Sequence, residues 1–137
     1  MAFGKTTLAF CLAICGALVL WTVVRQGSAE RKDVSHTREF AGRGDAEAQY
    51  HLGSLYYYGK SVRQSYTEAA RWYRRSAGQS SSKAQYALGY CYGHGQGVSR
   101  DDTEATRWVR KAADQGYAPA QGELASMYYR GAGVPRN

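Results

Sequence analysis

Cysteine is nearly absent from this sequence. Of three, only Cys91 lies beyond residue 30, so the body of the chain has no second thiol for an internal disulfide. Cys11 and Cys15 fall in an uncharged run, where Phe10 and Ile14 occupy the places a lipoprotein signal reserves for a small residue. That argues against lipidation, and an oxidising compartment is permitted by the count without being used. Histidine is equally sparse: His36, His51 and His94 have no second ligand at a spacing that fixes a metal, and neither a metal nor a cofactor is expected. Acidic groups are in the minority. From Glu30 onward sixteen Lys and Arg face eleven Asp and Glu, a net of +5 that permits an anionic partner without demanding one.

One long apolar run is present. Nineteen uncharged residues separate Lys5 from Arg25, which marks residues 1–29 as an export or membrane signal rather than part of a soluble fold. Gly27 and Ala29 suit cleavage after Ala29. Against this, the run exceeds the usual apolar core of about 7–15 residues and nearly reaches the roughly 20 that span a bilayer. A cleaved signal peptide is the favoured reading. The alternative is an uncleaved anchor through residues 6–24, with the body again outside the cytosol.

The rest of the chain repeats itself at a period of 36 residues. AQYHLGSLYYYGKSV from Ala48, AQYALGYCYGHGQGV from Ala84 and AQGELASMYYRGAGV from Ala120 superpose, as do SYTEAARWYRRSAGQ from Ser65 and DDTEATRWVRKAADQ from Asp101. Such a period is the mark of a repeat architecture. Ala48, Leu52, Leu55 and Tyr56 form an apolar stripe at helical spacing, matched by Ala84, Leu88, Cys91 and Tyr92. Gly53 and Gly89 beside it allow close approach of a neighbouring helix. Gly59, Gly95 and Gly131 are placed to end that first helix in a left-handed cap. A second helix begins at Ser65-x-x-Glu68 and Asp101-x-x-Glu104, each reading as a capping box, and buries Ala69, Trp72, Tyr73 and Ser76, or Ala105, Trp108, Val109 and Ala112. Pro119 suits a first helical turn.

The string AQY-LG-Y-G-GV-D-EA-RW-RKAA-QG of the second unit resembles the Sel-one-like repeat (SLR) family, relatives of the tetratricopeptide repeats, over about residues 44–137. The resemblance implies an all-α, right-handed α/α superhelix of about two and a half hairpins. It implies a scaffold for protein–protein contact, with no catalytic residue. The expected organisation is a linker and degenerate capping helix within 30–43, repeat 1 over 44–79, repeat 2 over 80–115 and a partial repeat 3 over 116–137. Ser61, where the other units have Gly97 and Gly133, is expected to change the first turn. Asn137 aligns with Ser65 and Asp101, so the third unit stops before a second helix. The sequence thus reads as a piece of a longer solenoid adaptor, or as a chain whose uncapped end self-associates.

Several motifs dissolve against this frame. Gly4-Lys5-Thr6-Thr7 mimics the end of a phosphate loop whose first glycine would precede the chain. Ser80-x-x-Lys83 matches the nucleophile motif of penicillin-binding enzymes without Ser-Asp-Asn or Lys-Thr-Gly, and falls in a linker; a small envelope hydrolase is the enzymatic alternative it leaves. Cys91 shares its slot with Leu55 and Met127 and reads as core. Arg71, Arg74 and Arg75, echoed by Arg107, Arg110 and Lys111, read as a solvated outer face whose stems cover tryptophans, rather than a nucleic-acid or membrane site. The functional signal lies where repeats disagree. On the first helices, one polar face supplies Glu47, His51, Ser54 and Tyr58, then Lys83, Tyr90 and His94, then Glu123 and Arg130. In tetratricopeptide-like stacks that face lines the groove, so these nine are the candidates for contact with a protein or peptide partner.

Overall fold

The computed structural model describes residues 34–133, and every regular element among them is helical. The apolar run of residues 6–24 and the signal reading attached to it lie outside these residues. Residues 34–42 form α1. Five helices follow: α2 (Ala46–Tyr58), α3 (Tyr66–Gly78), α4 (Ser82–His94), α5 (Asp102–Asp114) and α6 (Ala118–Arg130). From α2 onward each helix packs on the next, so that hairpins α2–α3 and α4–α5 stack in chain order with α6 following.

The ends of the helices are written in the repeat. Gly59, Gly95 and Gly131 take the left-handed conformation at φ 66, 65 and 67° and close α2, α4 and α6. Asp45, Ser65, Ser81 and Asp101 cap α2 to α5, each side-chain oxygen accepting from a first-turn N–H. Only half of the expected capping box forms, however. The N–H groups of Ser65 and Asp101 donate to the carbonyls of Tyr56 (2.9 Å) and Tyr92 (3.0 Å), tying the second helix back to the first. Glu68 and Glu104, released from that duty, pair with Arg71 at 2.7 Å and Arg107 at 3.0 Å. The turn at Ser61 also departs from expectation: its φ of 57° is left-handed like those of Gly97 and Gly133, so the serine takes the glycine conformation instead of reshaping the turn.

Within a hairpin the two helices cross where Gly53 and Gly89 leave no side chain. A Cβ on Gly89 would stand 2.7 Å from Val109 Cγ2 and 3.0 Å from the Ala105 carbonyl oxygen; on Gly53 it would meet the Tyr73 ring at 2.7 Å. Gly122 occupies open space in the middle of α6. Gly89→Ala should therefore cost about 1–3 kcal/mol through overpacking. Gly122→Ala should stabilise by up to about 1 kcal/mol through helix propensity. Urea denaturation of the two variants checks the opposite signs.

Between hairpins the same contacts recur every 36 residues. Gln49, Gln85 and Gln121 donate to the carbonyls of Ala41, Ala77 and Ala113 at 3.1–3.3 Å. Arg38, Arg74 and Arg110 donate to the hydroxyls of Tyr56, Tyr92 and Tyr128. α1 thus makes to α2 the contacts that α3 makes to α4 and α5 to α6, and acts as a preceding second helix. The core is a line of small and aliphatic residues, with Leu52, Leu88, Val109 and Cys91 wholly buried. Trp72 and Trp108, expected on the buried face, are only half-buried, at the edge of the outer face under the cationic heads of Arg75 (4.6 Å) and Lys111 (4.4 Å).

Candidate functional site

Two clefts open between successive first helices. One, of about 470 Å³, lies between α2 and α4 and is walled by tyrosines 50, 57, 58, 73, 86, 90 and 117, with Ser54 and Lys83. The other, of about 520 Å³, lies between α4 and α6 and is more polar, lined by Tyr86, Tyr90, His94, Arg100, Asp102, Glu123 and Arg130 among others. Tyr86 and Tyr90 belong to both. Of the nine sequence candidates, Ser54, Tyr58, Lys83 and Tyr90 meet in the first cleft, and Tyr90, His94, Glu123 and Arg130 in the second. Glu47 and His51 line neither. Glu47 instead accepts from Lys83 at 3.0 Å and lies 3.3 Å from His51 Nε2.

The polar groups are largely matched to one another. Arg130 pairs with Glu123 and Arg100 with Asp102, at 3.0 and 3.2 Å. The His94 ring stacks on Tyr90 with centroids 3.9 Å apart, and its Nδ1 lies 3.0 Å from the Tyr90 carbonyl oxygen. Ser54 donates to the Tyr50 carbonyl and accepts from the buried Tyr73 hydroxyl at 3.3 Å. The Tyr57 hydroxyl donates to Gln96 at 2.6 Å, and burial, the largest influence on it, raises its pKa. Tyr86 is likewise raised by burial and then by Glu123. Both phenols remain hydrogen-bond donors at neutral pH.

Chemistry of the nucleophilic kind finds no support in this geometry. The hydrogen bond from Lys83 to Glu47 raises its pKa and keeps it protonated, the reverse of what a general base requires. Ser81, in the middle of the Ser-x-x-Lys string, is the N-cap of α4. Cys91 is wholly buried and desolvation pushes its thiol up to about 11. Among the described residues no three His, Cys, Asp or Glu side chains converge as a metal site would need, and no helix is long and apolar enough to cross a membrane.

Sequence reasoning missed Tyr50, Tyr57, Tyr86 and Tyr117. The signal was available for Tyr50 and Tyr86, which stand four residues before Ser54 and Tyr90 and so on the same helical face. Variation between repeats does not mark this position, because the first two units both carry tyrosine there. Tyr117 is the N-cap residue of α6 yet makes no side-chain capping bond; its ring packs edge-on against Tyr86 at 5.6 Å.

The Sel1 repeat matches this sequence at residues 46–81, 82–117 and 118–137. The chain belongs to the Sel1 repeat family. Proteins of this family are generally protein–protein interaction scaffolds. No curated protein matches the chain. Among solved structures, it is similar to c5321, a protective antigen present in uropathogenic Escherichia coli strains and displaying an SLR fold. The two are 38% identical with a TM-score of 0.74, over 76% of this chain and 22% of that one. A Sel1 repeat protein from Oxalobacter formigenes is 31% identical at a TM-score of 0.74, over 88% of this chain and 49% of the other. Helicobacter pylori cysteine rich protein B is 25% identical at 0.66, over 69% and 71%. This Sel1 repeat chain therefore spans about a fifth and a half of the length of the first two.

Proposed function

We propose that this protein is a non-enzymatic scaffold working outside the cytosol, which holds a segment of a partner protein in the groove formed by the two clefts. The observation that carries the reading is the wall of tyrosines between α2 and α4. Tyr58 is 66% and Tyr90 40% exposed, on the face where the three units differ most. Large amphipathic rings on a rigid helical frame give contact area at little entropic cost, and a few such residues dominate most interfaces. Ser54, Lys83, His94, Glu123 and Arg130 supply the polar rim, and Glu47 and His51 extend it beyond the clefts. The export reading rests on residues 1–29, as a cleaved signal or an anchor through 6–24.

The test is photo-crosslinking in the cells that make the protein. A photoreactive residue at position 58 or 90 should yield a discrete adduct, and one at position 71 or 107 on the outer face should not. Tyr58→Ala/Tyr90→Ala/His94→Ala should remove the adduct formed from a probe at position 54 while leaving the melting temperature within a few degrees. Adducts from the outer face alone would refute the groove.

A second reading concerns α6. Tyr129 is 92% exposed, whereas its equivalent Tyr57 packs edge-on with Tyr66 of α3 at 5.1 Å. A copy of α6 would cover it, and self-association through this face is the proposal. Sedimentation in detergent should give a dimer that Tyr129→Lys converts to a monomer; a wild-type monomer would exclude it.

A further inference from the structure

We infer that the outer face of α3 and α5 docks on an anionic lipid surface. Arg74, Arg75, Arg110 and Lys111 meet the headgroup phosphates, and Trp72 and Trp108 lie at the interface.

These four cations have no carboxylate to balance them. Arg71 and Arg107 are neutralised by Glu68 and Glu104, but the ion pairs among the described residues include none of the other four. Asp114, which takes the place of Gly78 in the second unit, is exposed on the same helix as Arg110 and Lys111 and pairs with neither. Aromatic groups hold the four instead. Arg74 donates to the Tyr92 hydroxyl at 2.8 Å and Arg110 to that of Tyr128, while Arg75 and Lys111 sit over Trp72 and Trp108. A ring fixes a cation without cancelling its charge, and a guanidinium with one N–H engaged keeps four donors for an incoming anion. The groove side is the reverse: Lys83, Arg100 and Arg130 are each paired with a carboxylate. Of these two faces, the outer one carries the unbalanced charge.

The shape of the face sets the size of the anion. Arg71, Arg74 and Arg75 line a shallow open hollow beside Gly78, and the cations at 74 and 75 recur at 110 and 111, one repeat along. The charge is a row across two helices, not a pocket for one small ion. An acidic protein would need a matching row of carboxylates and would set polar groups against two half-buried indoles. A bilayer offers a phosphate on every headgroup and an interfacial zone that tryptophan favours. Nucleic acid is set aside by the export reading above, on which this one step rests. The clefts share no residue with the ridge, so docking consumes none of the groove's side chains.

The experiment uses the full chain carrying Trp21→Phe, which leaves Trp72 and Trp108 as its only indoles. It is reconstituted into vesicles with brominated acyl chains, which quench indoles that reach the bilayer. Tryptophan emission should be at least about twofold lower with about 30% phosphatidylglycerol than with phosphatidylcholine alone. Sodium chloride at about 0.5 M should restore it. Arg74→Gln/Arg75→Gln/Arg110→Gln/Lys111→Gln should abolish the difference, at about fivefold in the docking equilibrium per cation removed. If that variant loses helical circular dichroism, Arg75→Gln/Lys111→Gln, which touches neither tyrosine hydroxyl, carries the comparison and should diminish the quenching. Lys83→Gln/Arg130→Gln on the groove side should keep it. Equal quenching in the two lipids, or a difference that survives removal of the ridge cations, overturns the inference. So does ridge-dependent binding of a labelled glutamate decapeptide by a chain that shows no lipid difference, which would make the face a protein site. The vesicle measurement makes no use of the export reading, which cell fractionation tests separately.

Discussion

Gly97→Ala should cost at least about 3 kcal/mol and lower the melting temperature by about 12 °C or more. The residue has φ 71°, where an L side chain adds about 1–2 kcal/mol. That strain is not the larger part, since Ser61 bears a similar φ of 57° in the equivalent turn. What bars a side chain at 97 is the helix beneath. A Cβ there would overlap the carbonyl of Tyr66 and stand 2.6 Å from the Thr67 nitrogen, backbone atoms in the first turn of α3. Gly133 lies in the same way over the Asp102 carbonyl, with Thr106 Oγ1 at 2.7 Å. These glycines let each turn rest on the preceding second helix, so the substitution separates repeats as well as straining a loop. Gly93→Ala, four residues earlier, is the control. Its Cβ would meet only the Ala105 Cβ at an ordinary 3.6 Å within α4, and the variant should be neutral or stabilised by up to about 1 kcal/mol. Thermal melts that rank the two variants equally would remove the argument.

That contrast shows how far the sequence could be read. The period of 36 residues placed the helices, the caps and the glycine crossings, because each depends on a local rule that recurs at a fixed register. The all-α hairpin solenoid follows from them. The half-formed capping box was not legible, since it depends on the N–H of Ser65 finding the Tyr56 carbonyl across a folded turn at 2.9 Å. The stretch expected to hold a degenerate capping helix contains α1, but its individual contacts were not legible: Arg38 and Ala41 repeat those of Arg74 and Ala77 in a different sequence context. At the candidate site, the polar face of the first helices was visible as variation. Tyr117 was hidden because its counterparts, Asp45 and Ser81, are helix caps, and only packing against Tyr86 shows that the tyrosine has exchanged that duty for a place in the wall.

Stability should fall steeply above pH 9, and Cys91 should account for the first part of the fall. Desolvation in the core pushes its thiol from 9.0 to about 11. Burial also raises the Tyr73 phenol well above its ordinary 10.0, against a smaller opposing effect of its hydrogen bond to Ser54. Both are acids whose folded pKa lies above the unfolded value. The folded state then binds more protons than the unfolded chain between those two values, and the slope of stability with pH is negative there. Their contribution is complete below the unfolded pKa and is lost as pH rises towards the folded one. For Cys91 the window is pH 9 to about 11, a loss on the order of 3 kcal/mol. Tyr73 adds a loss that begins near pH 10 and continues upward. Urea midpoints under reducing conditions at pH 7, 9, 10 and 11 resolve the two. Cys91→Val, an apolar residue in a slot held elsewhere by Leu55 and Met127, should flatten the fall between pH 9 and 10. Tyr73→Phe should leave that part intact and lessen the fall above pH 10, where Tyr57, Tyr86 and the rest of the Cys91 titration still contribute. A wild-type profile level to pH 11 would mean that neither group is as buried in solution as its packing against the hairpin core requires.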